Sequence, residues 1–210
     1  MLALVSSLCI TIVMKVHVIY AYPLKTGLAV EIHKTVVSAL IEAGHEVDDL
    51  DLYAEKFDPV LSEDGRRHYH DVSRNQIGLE DYVARLQHAD MLVLQFPTWC
   101  FGMPAMLKGF LDRMMMPGVA FDLDDPAHVR PMLSNVRRIV GIVTYGRPRY
   151  MAWWMSDPPR KIVTRYLRWF TGGKAKVEYH ALYHLNVATE KQRTAFIGRV
   201  ANAMGRLGRE

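Results

Sequence analysis

The sequence predicts a doubly wound α/β fold: a five-stranded parallel sheet in strand order 2-1-3-4-5 with helices on both faces. Three observations predict it. Strand-like and helix-like patterns alternate five times along the chain, with no internal repeat and no linker. Residues 91–96 (MLVLQF) and 138–144 (RIVGIVT) are nearly continuous apolar runs, as expected of strands covered on both faces of a parallel sheet. The 210 residues, 50% hydrophobic and 23% charged with a mean hydropathy of -0.01, are enough to bury one large core without staples. Disorder, collagen and a disulfide scaffold are excluded by the same composition.

Taken in order, residues 15–22 (KVHVIYAY) are β-rich and lead into a turn at Pro23, Lys25, Thr26 and Gly27. Ala29, Ile32, Val36, Leu40 and Ile41 then share one helical stripe, which Gly44 stops at the position that favours a left-handed residue. Residues 45–52 (HEVDDLDL) carry Val47, Leu50 and Leu52 as a second strand near a sheet edge, completing a right-handed βαβ unit. Residues 53–78 lack periodicity and read as a long loop. A short helix over 79–88 buries Leu79, Tyr82, Val83 and Leu86 ahead of the apolar third strand. Pro104 opens the next helix, with Leu107, Phe110, Leu111 and Met114 on one stripe, and Pro117-Gly118 ends it. The fourth strand is followed by an aromatic stretch, then a basic amphipathic helix over 159–170 that Gly172-Gly173 stops. A fifth strand spans 175–185, and Thr189 with Gln192 forms a capping box that opens a last helix.

This places one domain over residues 14–210, with residues 1–13 as an extension outside it. The extension is apolar, but it lacks the basic start of a signal peptide and falls short of the ~20 apolar residues of a spanning helix. Met14-Lys15 reads as the true start; a weak membrane anchor is the alternative. Cys9 and Cys100 are the only cysteines, too few for a disulfide framework or a cysteine-based zinc site, which suits a reducing, cytoplasmic compartment. Net charge is +4 and the pI 9.1, yet Lys and Arg are scattered, so no nucleic-acid partner is expected and anionic small ligands are favoured.

In open parallel sheets ligands bind beyond the carboxyl ends of the strands, where the strand order reverses. For this order that means the loops after strands one, three and four. The first lacks both the dinucleotide fingerprint and the P-loop pattern. Lys25, the Thr26 hydroxyl, Gly27 and the helix start could still receive a phosphate, although a plain strand-to-helix turn would look the same. The second loop runs through Pro97, Thr98, Trp99, Cys100, Phe101 and Gly102. Its two aromatics either wall a flat ring or cap the core. His68 and His70 read as loop residues, Cys100 as an inert thiol, and no metal is expected.

Residues 95–113 (QFPTWCFGMPAMLKGFLDR) resemble the signature of the flavodoxin-like NAD(P)H:quinone oxidoreductases. That group includes DT-diaphorase, the modulator-of-drug-activity quinone reductases and the ancillary proteins of potassium efflux. The resemblance runs from Lys15 onward and is also carried by residues 49–62 (DLDLYAEKFDPVLS) and by Ala89-Asp90. It implies a flavin, FAD or FMN, whose phosphate meets Lys25, Thr26 and Gly27. The isoalloxazine would be lined by the backbone from Pro97 to Gly102, and its pyrimidine edge faced by Thr144, Tyr145 and Gly146.

The resemblance further implies two-electron, ping-pong hydride transfer from NADPH or NADH to a quinone-like acceptor, in a homodimer. Arg147, Arg149 and Tyr150, just beyond the fourth strand, are candidates for nucleotide or reduced-flavin contacts. Tyr150, Trp153 and Trp154 fit core, dimer contact or stacking surface. The chain departs from the family pattern at Gly27-Leu28-Ala29, at Cys100, and at Tyr145 and Arg147, where a Gly-rich turn is usual. The alternatives are an electron carrier, which the basic pI disfavours because flavodoxins are typically acidic, or a regulatory partner of a membrane transporter.

Overall fold

The computed structural model describes residues 12–125 and 127–208. Strands β1 (Lys15–Tyr20), β2 (Glu46–Asp51) and β3 (Met91–Pro97) are joined by helix α1 (Leu28–Glu42), the short α2 (Glu63–Arg67) and α3 (Glu80–His88). Helix α4 (Ala105–Met114) follows, then a small antiparallel ladder of β4 (Phe121–Asp122) and β5 (Arg130–Pro131), and the apolar strand β6 (Arg138–Thr144). After it come α5 (Arg149–Trp154), α6 (Pro158–Lys161), a π-turn over Ile162–Tyr166, α7 (Leu167–Phe170), strand β7 (Lys176–Leu182), a 3-10 turn over Leu185–Val187 and α8 (Glu190–Met204). The main sheet is parallel throughout in the order β2-β1-β3-β6-β7, the 2-1-3-4-5 topology expected from the sequence.

Each face of the sheet buries its own apolar cluster. Val16, Val18, Met91 and Val93 meet Ile32, Val36 and Leu40 of α1 and Phe196, Val200 and Met204 of α8. Ile19, Leu92, Leu94 and Ile139 meet Val83 and Leu86 of α3 and Leu107, Phe110 and Met114 of α4 on the other side. Ile41, assigned to the buried stripe by periodicity, is 57% exposed, because the α1 stripe is narrower than the apolar positions suggest. Gly44 ends α1 at φ 87, and Gly172 and Gly173 end α7 at φ 69 and 72, so these helix stops are in the left-handed region that glycine alone enters freely. The capping box forms, with Gln192 N donating to Thr189 Oγ1 and Gln192 Oε1 accepting from Thr189 N.

Several elements differ from the pattern-based reading. The region 53–78 holds α2, whose first turn is capped where Gly65 N donates to Ser62 Oγ at 3.0 Å. The basic helix expected over 159–170 is two short α-helical pieces, α6 and α7, with a π-turn between them. The fifth strand stops at Leu182, because His184 takes φ 60 and turns the chain into the 3-10 turn. The expectation for residues 1–13 falls mostly on 1–11, which lie outside the described residues. Among the described residues no helix is long and apolar enough to cross a membrane.

The two segments that carry the family resemblance, 49–62 and 95–113, form one packing unit. Phe57 meets Phe110 edge-on with ring centroids 5.2 Å apart, and Arg113 lies over the Phe57 ring at 5.4 Å while its Nη1 donates to Asp58 O at 2.6 Å. Gly109 is the point of closest approach: a β-carbon there would stand 2.1 Å from Pro59 O. The motif therefore has a structural cause, since only glycine lets α4 seat against the 57–60 segment.

Candidate functional site

Strands β1, β3 and β6 end at one level, and backbone bonds carry them into their loops. Ala21 N donates to Gln95 O at 3.1 Å, and Thr98 N to Thr144 O at 2.8 Å. Between the loops lies a cleft of about 450 Å³. Tyr22, Leu28 and Ala29 line it from the first loop, Pro97, Thr98 and Trp99 from the second, and Thr144 and Gly146 from the third. Leu185, Asn186 and Arg193, beyond β7, close the remaining side.

The second loop is a two-residue reverse turn. Trp99 N donates to Gly102 O at 3.1 Å and Gly102 N to Trp99 O at 2.8 Å, with Cys100 at φ 50 and Phe101 at φ 57 between them. Two successive left-handed residues match the twist of a tight hairpin, but each costs a non-glycine side chain ~1 to 2 kcal/mol. The turn separates the two aromatics. Trp99 is 43% exposed and walls the cleft, whereas Phe101 is half-buried against the core. Trp99 thus takes a cleft-lining position and Phe101 the core-capping one. Cys100 is exposed, and the N–H groups of Cys100 and Phe101 donate to no protein acceptor among the described residues.

In the first loop Lys25, Thr26 and Gly27 are exposed and lie outside the cleft lining. Gly27 holds φ 102 and ψ 177, a conformation essentially restricted to glycine, and its carbonyl accepts from Val30 N and Glu31 N. No side chain caps α1, so the N–H groups of Leu28 and Ala29 remain free beside the cleft. Gln95, buried on β3, fixes this helix start by donating from Nε2 to Ala29 O at 2.7 Å. Its Oε1 is buried with no partner among the described residues.

The third loop divides its residues between cleft and core. Thr144 and Gly146 line the cleft, and a β-carbon on Gly146 would come within 3.1 Å of Asn186 Oδ1. Tyr145 turns the other way. It is 1% exposed, stacks on Tyr183 at 4.5 Å, donates its hydroxyl to Asp157 Oδ1 at 2.6 Å and meets the Tyr179 hydroxyl. Burial first, then the neighbouring Tyr179 and Asp157, push the Tyr145 phenol far above its ordinary pKa, so it stays a neutral donor. Its backbone is engaged too, N with Leu182 O and O with Leu185 N. Tyr145 anchors the loop, and its side chain does not reach the cleft.

Arg147 is exposed, and His184 N donates to its carbonyl. Arg149 is exposed at the start of α5 and lines a separate cleft, and Tyr150 stands 70% exposed. Tyr150, Trp153 and Trp154 are all exposed, which removes the core reading for them. Sequence reasoning did not single out Tyr22, Leu28, Ala29, Leu185, Asn186 and Arg193. A signal for Arg193 was present, because the capping box fixes the start of α8 and places Arg193 in its first turns, beyond the end of β7. No carboxylate pairs with Arg193 among the described residues.

A doubly wound sheet with its cleft at the point of reversed strand order defines the class, and a family model described as Flavodoxin-like fold matches residues 14–202. The chain belongs to that family. Among curated proteins it is 29% identical over 108 residues to an uncharacterized NAD(P)H oxidoreductase of Escherichia coli (strain K12), covering 51% of this chain and 55% of that protein. It is 31% identical over 145 residues to NAD(P)H dehydrogenase (quinone) 1 of Cavia porcellus, covering 61% and 52%. The chain spans about half the length of the curated relatives it matches. Among solved structures, Smu.1420 from Streptococcus mutans UA159 superposes with a TM-score of 0.80 at 29% identity, covering 92% of this chain and all (100%) of that one.

Proposed function

We propose that this protein is a flavin-dependent NAD(P)H oxidoreductase that delivers two electrons to a quinone-like acceptor. The observation that carries the reading is the cleft itself, with an indole wall at Trp99, the free N–H groups of Leu28 and Ala29, and Arg193, which has no carboxylate partner among the described residues. The curated relatives named as NAD(P)H oxidoreductase and quinone dehydrogenase support the same reaction class.

The residues present fit a flavin. Trp99 and Pro97 offer a flat apolar wall, and Gly146 keeps Asn186 close without a β-carbon between them. The Leu28 and Ala29 N–H groups and Arg193 offer donors to a phosphate. When bound, FMN or FAD supplies the hydride-accepting ring. The chain's part is to hold that ring, exclude water from one face and place donors at its polar edge. Overall, one hydride from NADPH or NADH and one proton from solvent convert a quinone to a hydroquinone and leave NAD(P)+. One cleft serves donor and acceptor in turn, which gives ping-pong kinetics.

The exposed aromatic surface that includes Tyr150 is read as the contact with a second copy of the chain, and the paucity of cysteine supports a cytoplasmic location. Steady-state oxidation of NADPH and of NADH by flavin-loaded protein with a soluble quinone tests the activity. Parallel double-reciprocal plots are expected. Absence of quinone-dependent oxidation with either nucleotide would remove the reading.

A further inference from the structure

Beside the switch-point cleft lies a second one of about 620 Å³, within the range that small-molecule sites occupy. Its lining combines cations with exposed indoles. Arg149 comes from α5, Arg160 and Lys161 from α6 and Arg165 from the π-turn, while Trp153 and Trp154 are 78% and 76% exposed. The one carboxylate in the lining, Asp157, is turned to the Tyr145 hydroxyl. Arg160 is engaged with the protein, its guanidinium 4.8 Å over the Tyr179 ring. Arg149, Lys161 and Arg165 have no carboxylate partner among the described residues, and the nearby Asp112 is held by Lys108.

Three uncompensated cations around one concavity repel one another, and two indoles left in water forgo burial, so an anionic aromatic ligand would relieve both. A cleft this size takes one nucleotide rather than a strand of nucleic acid. Arg149, which lines the second cleft, is three positions after Gly146, which lines the first, so their Cα atoms are at most about 11 Å apart. One dinucleotide can therefore lie with a ring in each.

We propose that this second cleft binds the 2′-phosphorylated adenylate end of NADPH, with adenine on the Trp153–Trp154 surface and the phosphates among Arg149, Lys161 and Arg165. The assignment rests on the redox reading of the first cleft for its choice of dinucleotide, but its site can be tested without turnover. Adenosine 2′,5′-bisphosphate is titrated calorimetrically into flavin-loaded protein and into protein without added flavin, with inorganic pyrophosphate as the comparator. The bisphosphate is expected to bind both preparations and to bind more tightly than pyrophosphate. Lys161→Ala/Arg165→Ala should weaken it by about tenfold or more at an unchanged melting temperature, from the loss of charge-assisted contacts. Trp153→Ala should weaken it without changing pyrophosphate binding.

No binding to the wild-type protein at millimolar bisphosphate would overturn the proposal, as would unchanged affinity in the double variant. Pyrophosphate binding as tightly as the bisphosphate would reduce the cleft to a general anion site and overturn it equally. Bisphosphate binding to a protein that takes up no flavin would support the nucleotide site while removing the redox reading.

Discussion

Replacing Gly109 by alanine sets two effects of opposite sign against each other. Gly109 lies inside α4, where the exchange gains roughly 1 kcal/mol of helix propensity. Against this, the new methyl would sit 2.1 Å from Pro59 O, 2.4 Å from Pro59 Cβ and 2.7 Å from Pro59 C, all far inside contact distance. The 57–60 segment cannot swing aside freely, because Phe57 packs on Phe110 and Asp58 O accepts from Arg113 at 2.6 Å. Overpacking of this kind costs about 1 to 3 kcal/mol, and displacing the arginine bond adds about 1.5 to 3 more. The net expectation is a loss of about 1.5 to 5 kcal/mol, read as a lower midpoint in urea at an unchanged slope. A Gly109→Ala protein as stable as wild type, or more so, would show that propensity governs and that the two segments are not locked together here.

Other outcomes follow from the same geometry. Arg193→Ala should weaken flavin binding about tenfold, measured by fluorescence quenching, and leave the melting temperature unchanged because the side chain pairs with no carboxylate among the described residues. Cys100→Gly should raise stability by up to about 1 kcal/mol in chemical denaturation by relieving the left-handed strain at φ 50; a loss would mean the thiol makes a contact that matters. For Asp48, burial works to raise the pKa, but the close His17 ring and the Arg85 hydrogen bonds outweigh it and hold the carboxyl well below the usual range. Its contribution is therefore complete above the unfolded value near pH ~3.9 and is lost as pH falls from there toward the folded value. Asp48→Asn should cost about 1 kcal/mol at neutral pH, a discounted figure for a carboxylate 42% exposed, and the gap to wild type should close in acid. A gap that persists unchanged below pH ~2 would contradict this.

The sheet was legible because its signals are local and redundant. Continuous apolar runs marked β3 and β6, and glycines and a capping box marked helix ends at Gly44, Gly172 and Thr189. The site was legible by rule rather than by residue. The edge that the switch-point rule selects carries a cleft, lined there by Pro97, Thr98, Trp99, Thr144 and Gly146. It could not tell which way a loop side chain turns. Tyr145 and Phe101 look like wall residues in sequence, yet Tyr145 is drawn inward by Asp157 and Tyr179, and Phe101 by the apolar cluster. Arg193 and Asn186 escaped because they come from beyond β7, a strand that lies outside the three loops the rule selects. The break in the helix after Pro158 also left no periodic trace, since a π-turn keeps the apolar spacing nearly helical.

The proposed function depends on a flavin in the cleft at the ends of β1, β3 and β6. Titration of FMN and of FAD, followed by quenching of flavin fluorescence and repeated with Trp99→Ala, tests it most directly. Saturable binding of at least one flavin at about one per chain, weakened by the loss of the Trp99 wall, is the predicted result. No quenching by either flavin at micromolar concentrations, or binding that ignores the Trp99 substitution, would contradict it.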